Sequence, residues 1–434
     1  MPYPAVIEIA MQLITFRTVN PPGDELPAQD YLQALLEDAG FSVQRFEKVP
    51  GRPNLVTRLA GEGLREPLLF YGHTDVVGVE GQSWEAPPFD GVIRDEMLYG
   101  RGALDMKAGV AMLVHALLKA RAQRLRPAGD IILAIVVDEE SGGQAGMQYL
   151  LKAHPEVFSG VRFAIGEFGG FPLYTFGHKF YRIGVSQKQY AHLRMRLHAP
   201  GGHGSLPARE TVMAQLGRAL VKLDQASMPY HKTPIVEKII QAMMKVLPGH
   251  YRDALDGLLD PERFEASLAA IGPGREWFES LFRDTANPTI VRAGNKFNVI
   301  PAEAVVEIDA RILPGRTTED LVAELRALLG ELVSIEVIAS GPKTKPEVDF
   351  SLFDTLAGIL KELDPTGTPI PYLFNESPDG RLLEDVGIQN YGFIPMDLPP
   401  AIDLPALIHA ENERVPIAAI QFGATALYEL LKRY

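Results

Sequence analysis

Between residues 68 and 167 the chain repeats one pattern: a short apolar run that ends abruptly on a charged or imidazole side chain. Leu68-Leu69-Phe70-Tyr71 leads into Gly72-His73-Thr74-Asp75, Ile131 to Val137 into Asp138-Glu139-Glu140, and Phe163-Ala164-Ile165 into Gly166-Glu167. A strand that is apolar at every position is buried on both faces, and helical connections between such strands give a parallel or mixed sheet. Ligands of open α/β sheets sit at the carboxyl edge of the strands. The pattern therefore predicts an α/β fold whose strand ends gather His73, Asp75, Glu139, Glu140 and Glu167 at one rim. A fourth segment, Gly100-Arg101-Gly102-Ala103-Leu104-Asp105, brings Asp105 there just before a helix expected over 110–121.

At 434 residues the chain exceeds the size at which one core keeps growing, so at least two domains are expected. Helical periodicity covers residues up to Phe16 and 27–39, and alternating strands cover 41–46 and 54–59. Residues 80–92 read as a loop on the site side. Near residue 188 the pattern changes to β-α-β-β-α-β, a four-stranded sheet with two helices on one face. Its strands fall at 189–198, 289–293, 304–312 and 333–339, its helices at 211–223 and 318–329, with Gly201 to Pro207 as a turn. The expected organisation is a mostly parallel or mixed-sheet domain (1–187 and 343–434) interrupted by an α+β lid or dimerisation domain (188–342), which carries a helix-rich insertion at 225–286.

Composition narrows the chemistry. There is no cysteine, so disulfides, thiolate nucleophiles and Cys-based metal sites are excluded, and any metal must sit on imidazole and carboxylate. A net charge of −13 without a basic run argues against a nucleic-acid partner. No stretch approaches the roughly 20 apolar residues of a membrane span, and no signal-peptide pattern opens the chain, which sets a cytoplasmic expectation. Taken singly, the acidic residues read as turn and cap residues. Gathered at one rim they would repel one another and raise each other's pKa, an objection that divalent cations remove. Two histidines with carboxylates and no thiolate suit a hydrolytic Zn²⁺ site, with Co²⁺ or Mn²⁺ as substitutes.

The segments His73-Thr74-Asp75, Gly100 to Gly109, Asp138-Glu139-Glu140 and Gly166-Glu167 resemble, in order, the signatures of the M20 metallopeptidase family. Gly202-His203-Gly204-Ser205, Asn298-Val299-Ile300-Pro301, Asp309-Ala310-Arg311 and the late His409 extend the match to about residue 413. That family includes carboxypeptidases, aminoacylases, acetylornithine deacetylase and succinyl-diaminopimelate desuccinylase. The loop with Trp84, Pro88 and Phe89, the 225–286 insertion and Arg311 to Gly315 look more like the carboxypeptidase and N-acyl-amino-acid hydrolase branch.

The resemblance implies two metal ions, one on His73 and Glu167, the other on Glu140 and His409, bridged by Asp105. It implies Asp75 as the residue orienting His73, Glu139 as general base, and a cis peptide at Asp105–Met106. His203 becomes an oxyanion donor supplied across a homodimer, and Asn298 and Arg311 become contacts for a substrate carboxylate. Arg311 also fits a plain structural ion pair. Ser377-Pro378-Asp379-Gly380-Arg381 resembles a glycine loop beside the substrate, with Gly380 permitting close approach, although a simple turn explains it nearly as well. One departure stands out: relatives carry a Glu-Lys-Gly-type element before the lid, where this chain has Ser186-Gln187-Lys188-Gln189-Tyr190.

The expected activity is metal-dependent hydrolysis of the amide bond of an N-acyl amino acid or short peptide with a free carboxylate. A dedicated biosynthetic deacylase is the nearest competitor, separable by a substrate panel. A non-catalytic binding protein on the same fold is the competitor of another class, separable by metal uptake.

Overall fold

A computed structural model of the chain describes residues 3–330, 333–376 and 378–434. The chain divides into two compact units, Met1–Val185 with Asp349–Tyr372 and Pro378–Tyr434, and Ser186–Val348 with Leu373–Ser377. The short return of 373–377 to the second unit departs from the expectation that everything after residue 342 joins the first. Within that segment the Phe374 carbonyl accepts a hydrogen bond from the Lys188 amide, 2.8 Å away, at the start of the second unit.

In the first unit, nine strands among the described residues form one mixed sheet. Its centre is Ile131–Val136, Leu68–His73, Phe163–Gly166 and Gln389–Gly392, adjacent in that order and mutually parallel. The first three of these strands are buried at every residue, which is why they read as unbroken apolar runs. Pro53–Leu59 and Val43–Glu47 extend one side antiparallel, as the alternation near residues 41–59 predicts. A hairpin, Phe171–Thr175 with His178–Gln187, was not anticipated; its Gly177 occupies the left-handed region.

Helix Lys107–Ala122 is buried almost all round, packed between Val6–Thr15, Ile417–Arg433 and the sheet. Gly109, Ala111, Ala116 and Ala120 along it allow the close approach that such a central helix needs. On the other side Met147, Leu150 and Leu383 close a core over Leu69, Tyr71, Ile132 and Ala134. No helix among the described residues is long and apolar enough to cross a membrane.

The second unit has the expected four-stranded sheet, antiparallel throughout, in the order Thr285–Ala293, Glu303–Ile312, Gln189–His198, Val333–Ser340. Ala191, Leu193, Met195 and Leu197 alternate onto the face covered by helices Val212–Gln225 and Thr318–Leu329. The opposite face carries cross-strand charge pairs such as Arg194–Glu307 and Arg196–Glu303. The insertion folds as four helices, Pro234–Met244, Gly249–Leu258, Phe264–Ile271 and Arg275–Phe282. The stretch read as a turn at 201–207 begins with a two-residue strand, Gly202–His203, paired with Val299–Ile300; two residues carry too little periodicity to be seen in sequence. Both units together give the predicted fold class, an α/β domain with an inserted α+β unit.

Candidate metal centre

His73 closes the strand Leu68–His73 and lies opposite Val136 in register, so the turn after Ile131–Val136 delivers the acidic triple beside it. Asp138 takes a left-handed conformation (φ 69°) and Glu139–Ser141 form a single 3₁₀ turn. Side chains on such a turn diverge by about a third of a circle per residue, which lets Glu139 and Glu140 face different partners. Glu167 follows Phe163–Gly166 directly, Asp105 precedes helix Lys107–Ala122, and His409 sits in the late loop at φ 63°. The Asp105–Met106 peptide is cis, as the resemblance implies.

These residues form two triads that share one carboxylate. His73, Asp105 and Glu167 make the first, and Asp105, Glu140 and His409 the second, with donor atoms in each triad within 4.8 Å of one another. His73 Nε2 lies 3.1 Å from Asp105 Oδ1 and 3.0 Å from Glu167 Oε2. His409 Nε2 lies 3.2 Å from Asp105 Oδ2 and 3.3 Å from Glu140 Oε2. Each oxygen of Asp105 thus faces a different triad.

The donor set fits divalent cations. Buried Glu140 Oε1 has no hydrogen-bond partner among the described residues, and Glu167 Oε2 meets only the His73 ring at 3.0 Å, a costly condition for carboxylate oxygens unless a cation meets them. Burial, then the Asp105 charge, pushes the Glu140 carboxyl up to about 7. Hydrogen bonds donated to the Asp105 and Glu140 carboxylates raise the His409 imidazole to about 10. Burial disfavours a charged His73, yet Asp105, Asp75 and Glu167 hold its ring well above the ordinary range. The cluster therefore draws in positive charge on protons, the place metal ions take when ligands deprotonate.

Asp75 does more than the resemblance implies. Its Oδ1 accepts from the Glu139 amide (3.2 Å), and its Oδ2 from the Glu140 amide (3.1 Å) and Asn20 Nδ2 (2.8 Å). The shorter contact to His73 Nδ1 comes from the Asp75 carbonyl, at 3.0 Å, with the carboxylate at 3.5 Å. Burial, then the Glu167 charge, drives the Glu139 carboxyl well above its usual range.

Sequence reasoning missed the supports behind this rim. Asn20 Nδ2 donates to both Asp75 and Asp138 and so bridges them. Arg52 spans Glu25 (2.8 and 2.6 Å) and Asp138 (3.2 Å), so Asp138 is a buried hub and not a solvated turn residue. The Glu25 side chain is fully buried. Arg52→Ala leaves it unpaired, and breaking a buried pair in this way costs about 3–5 kcal/mol. Chemical denaturation of the variant should show that loss, and a change below about 1 kcal/mol would remove Arg52 from the scaffold. No sequence signal marks Arg52 or Glu25, because their partnership spans loops with no shared periodicity.

Asp379 is buried, its amide donates to Glu167 Oε1 (3.2 Å), and burial pushes its carboxyl up to about 7 against the pull of Arg381. Gly380 starts helix Gly380–Asp385, where an added Cβ would lie 2.2 Å from Asn390 Nδ2. Packing against Asn390 is thus one reason for glycine at 380. Ser377, from the same predicted loop, lies outside the described residues.

His203, Asn298 and Arg311 belong to the second unit, whereas both triads lie within the first. His203 is exposed, with Nδ1 2.7 Å from Ser205 Oγ. Asn298 is exposed, and its carbonyl accepts from the Gly204 amide, 2.9 Å away. Arg311 pairs with Asp309 at 3.1 Å, the structural alternative foreseen for it. At the departure from the family pattern, Lys188 is buried and donates to the Arg283 carbonyl at 2.9 Å.

Residues 69–433 match the model of peptidase family M20/M25/M40, and the chain belongs to that family. It is an M20-type metallohydrolase. Among curated relatives it is 29% identical over 402 residues to the human N-fatty-acyl-amino acid synthase/hydrolase PM20D1, covering 89% of this chain and 78% of the relative. It is 26% identical to aminoacylase-1 of Sus scrofa, covering 98% and 94%. Its fold resembles that of the M20 metallo-carboxypeptidase Sso-CP2 from Sulfolobus solfataricus (TM-score 0.68, 16% identity, 99% of each chain). It also resembles human carnosine dipeptidase 1 (TM-score 0.66, 16% identity, 99% of this chain and 96% of that one).

Proposed function

We propose that this hydrolase cleaves the amide bond of N-acyl amino acids or short peptides bearing a free carboxylate, using two divalent ions. The observation that carries the reading is the division of Asp105 between two triads, at 3.1 Å from His73 and 3.2 Å from His409. His73, Asp105, Glu167, Glu140 and His409 would hold the ions, and Zn²⁺ suits imidazole and carboxylate donors, with Co²⁺ or Mn²⁺ as substitutes. When bound, such a pair acidifies water and polarises the scissile carbonyl. The relatives' names, an N-acyl-amino-acid hydrolase and an aminoacylase, favour this substrate class.

Glu139 is the general base: its carboxylate takes a proton from the attacking water and returns it to the departing nitrogen. Asp75 fixes the Glu139 and Glu140 amides, so the base and its neighbouring donor keep one geometry. His203 donates to the developing oxyanion, a contribution of about 10²–10³ in rate. Asn298 and Arg311 receive the substrate carboxylate, Arg311 exchanging Asp309 for a ligand that matches its fork. A homodimer through the second unit is supported by its edge strand Thr285–Ala293, which exposes Ile290 and Val291.

The test is a panel of N-acetyl, N-succinyl and long-chain N-acyl amino acids and dipeptides on metal-loaded protein, each also with its carboxylate blocked. Free-carboxylate substrates should exceed their blocked forms at least tenfold, and His203→Ala should lose about 10²–10³ in kcat. Confinement of activity to N-succinyl substrates or to acetylornithine would establish a dedicated deacylase instead. Failure to turn over any member would end the proposal.

A further inference from the structure

The two triads are held in place by different means. His73 is buried at a strand end and braced through Nδ1 by the Asp75 carbonyl, so packing and register fix it. The His409 side chain is 47% exposed and sits on a loop in the left-handed region. Its ring has little packing to orient it, so its position depends on what grips its backbone. That grip is on the carbonyl: Arg101 Nη2 donates to it at 3.1 Å and Gln82 Nε2 at 2.9 Å.

Arg101 is itself anchored. Its side chain is 1% exposed, and Nη1 donates to Glu413 Oε2 at 2.6 Å. Glu413, fully buried, uses its remaining capacity on the loop that presents the shared carboxylate. Oε2 accepts from the Gly102 amide (3.1 Å), and Oε1 from the amides of Leu104 (2.7 Å) and Asp105 (3.2 Å). Two side chains thus join the Asp105 loop to the His409 loop across more than 300 residues of sequence.

We propose that Arg101 and Glu413 are positioning residues that form a clamp setting His409 against Asp105, and that Arg101 governs the Asp105–Glu140–His409 triad selectively. The proposal rests on the two-ion reading above. Arg101 Nη2 also donates to Gln82 Oε1 (2.9 Å) and the Gly78 carbonyl (3.4 Å), but the triad residue it grips is His409, whereas Glu413 also holds the Asp105 amide and so reaches both triads. Arg101→Lys keeps a charge opposite Glu413 but gives up the fork that spans Glu413 and the His409 carbonyl. Glu413→Gln places an amide donor against Arg101 and the Gly102 amide.

The experiment is calorimetric titration of Zn²⁺ into metal-free full-length protein, repeated with Co²⁺ to follow its absorption bands. Wild type should bind two ions. Arg101→Lys should keep one affinity within about twofold and weaken the other about 10–100-fold, the usual effect of losing an outer partner of a ligand. Glu413→Gln should weaken both; if it fails to fold, Arg101→Lys decides alone. Two wild-type affinities in Arg101→Lys, or two equally weakened ones, would overturn the clamp. Uptake of fewer than two ions by wild type would instead bring down the two-ion reading and the clamp with it.

Discussion

Glu139→Ala is expected to retain both divalent ions and the wild-type melting temperature while kcat falls by about 10²–10⁴, the range that a positioned acid–base group contributes. The reason lies in the 3₁₀ turn. Glu140 Oε2 is 3.3 Å from His409 Nε2 within a triad, whereas Glu139 belongs to neither triad. Glu140→Ala should therefore do the opposite and lose metal along with activity. Metal analysis beside steady-state kinetics on both variants tests the division of labour. Wild-type-like turnover in Glu139→Ala would move the base elsewhere, and loss of an ion from it would exchange the two roles.

Removal of metal should have the other large effect. Dialysis of loaded enzyme against a chelator is expected to abolish hydrolysis and lower the melting temperature, and back-addition of Zn²⁺ or Co²⁺ to restore both. Buried carboxylates that crowd one rim favour a partner cation in the folded state, and no such site is preformed in the unfolded chain. At a free ion concentration about 1,000 times Kd, one site contributes roughly 4 kcal/mol by mass action. Scanning calorimetry with and without chelator reads the shift. Full activity in protein shown to be metal-free would refute metal-dependent hydrolysis here.

What the sequence disclosed follows from range. Strands such as Ile131–Val136 are legible because apolar runs record burial on both faces, and the rim is legible because His73, Glu139, Glu140 and Glu167 follow those runs directly. The alternation in 189–198 and 303–312 likewise discloses a sheet with one covered face. What stayed hidden depends on partners distant in sequence. Nothing near Arg52 indicates Glu25 and Asp138, and nothing near Glu413 indicates the amides of 102, 104 and 105. The hairpin at 171–187 escaped because its first strand is half-covered and its turn is a single Phe176-Gly177 step, too little to set a period. Nor can the sequence show that Asn390 packs against Gly380, where an added Cβ would lie 2.2 Å from its Nδ2.

The strand Gln389–Gly392 lies between Phe163–Gly166 and His178–Gln187, although the entire second unit precedes it in the chain. During synthesis, then, the sheet has a vacant lane that is filled only after the second unit has been made. Until that moment Phe163–Gly166 keeps an unpaired edge, of the kind that recruits strands from other molecules. The donors of the first triad have all been translated by residue 167, whereas the second waits for residue 409. On the two-ion proposal, a nascent chain would therefore complete one donor triad long before the other.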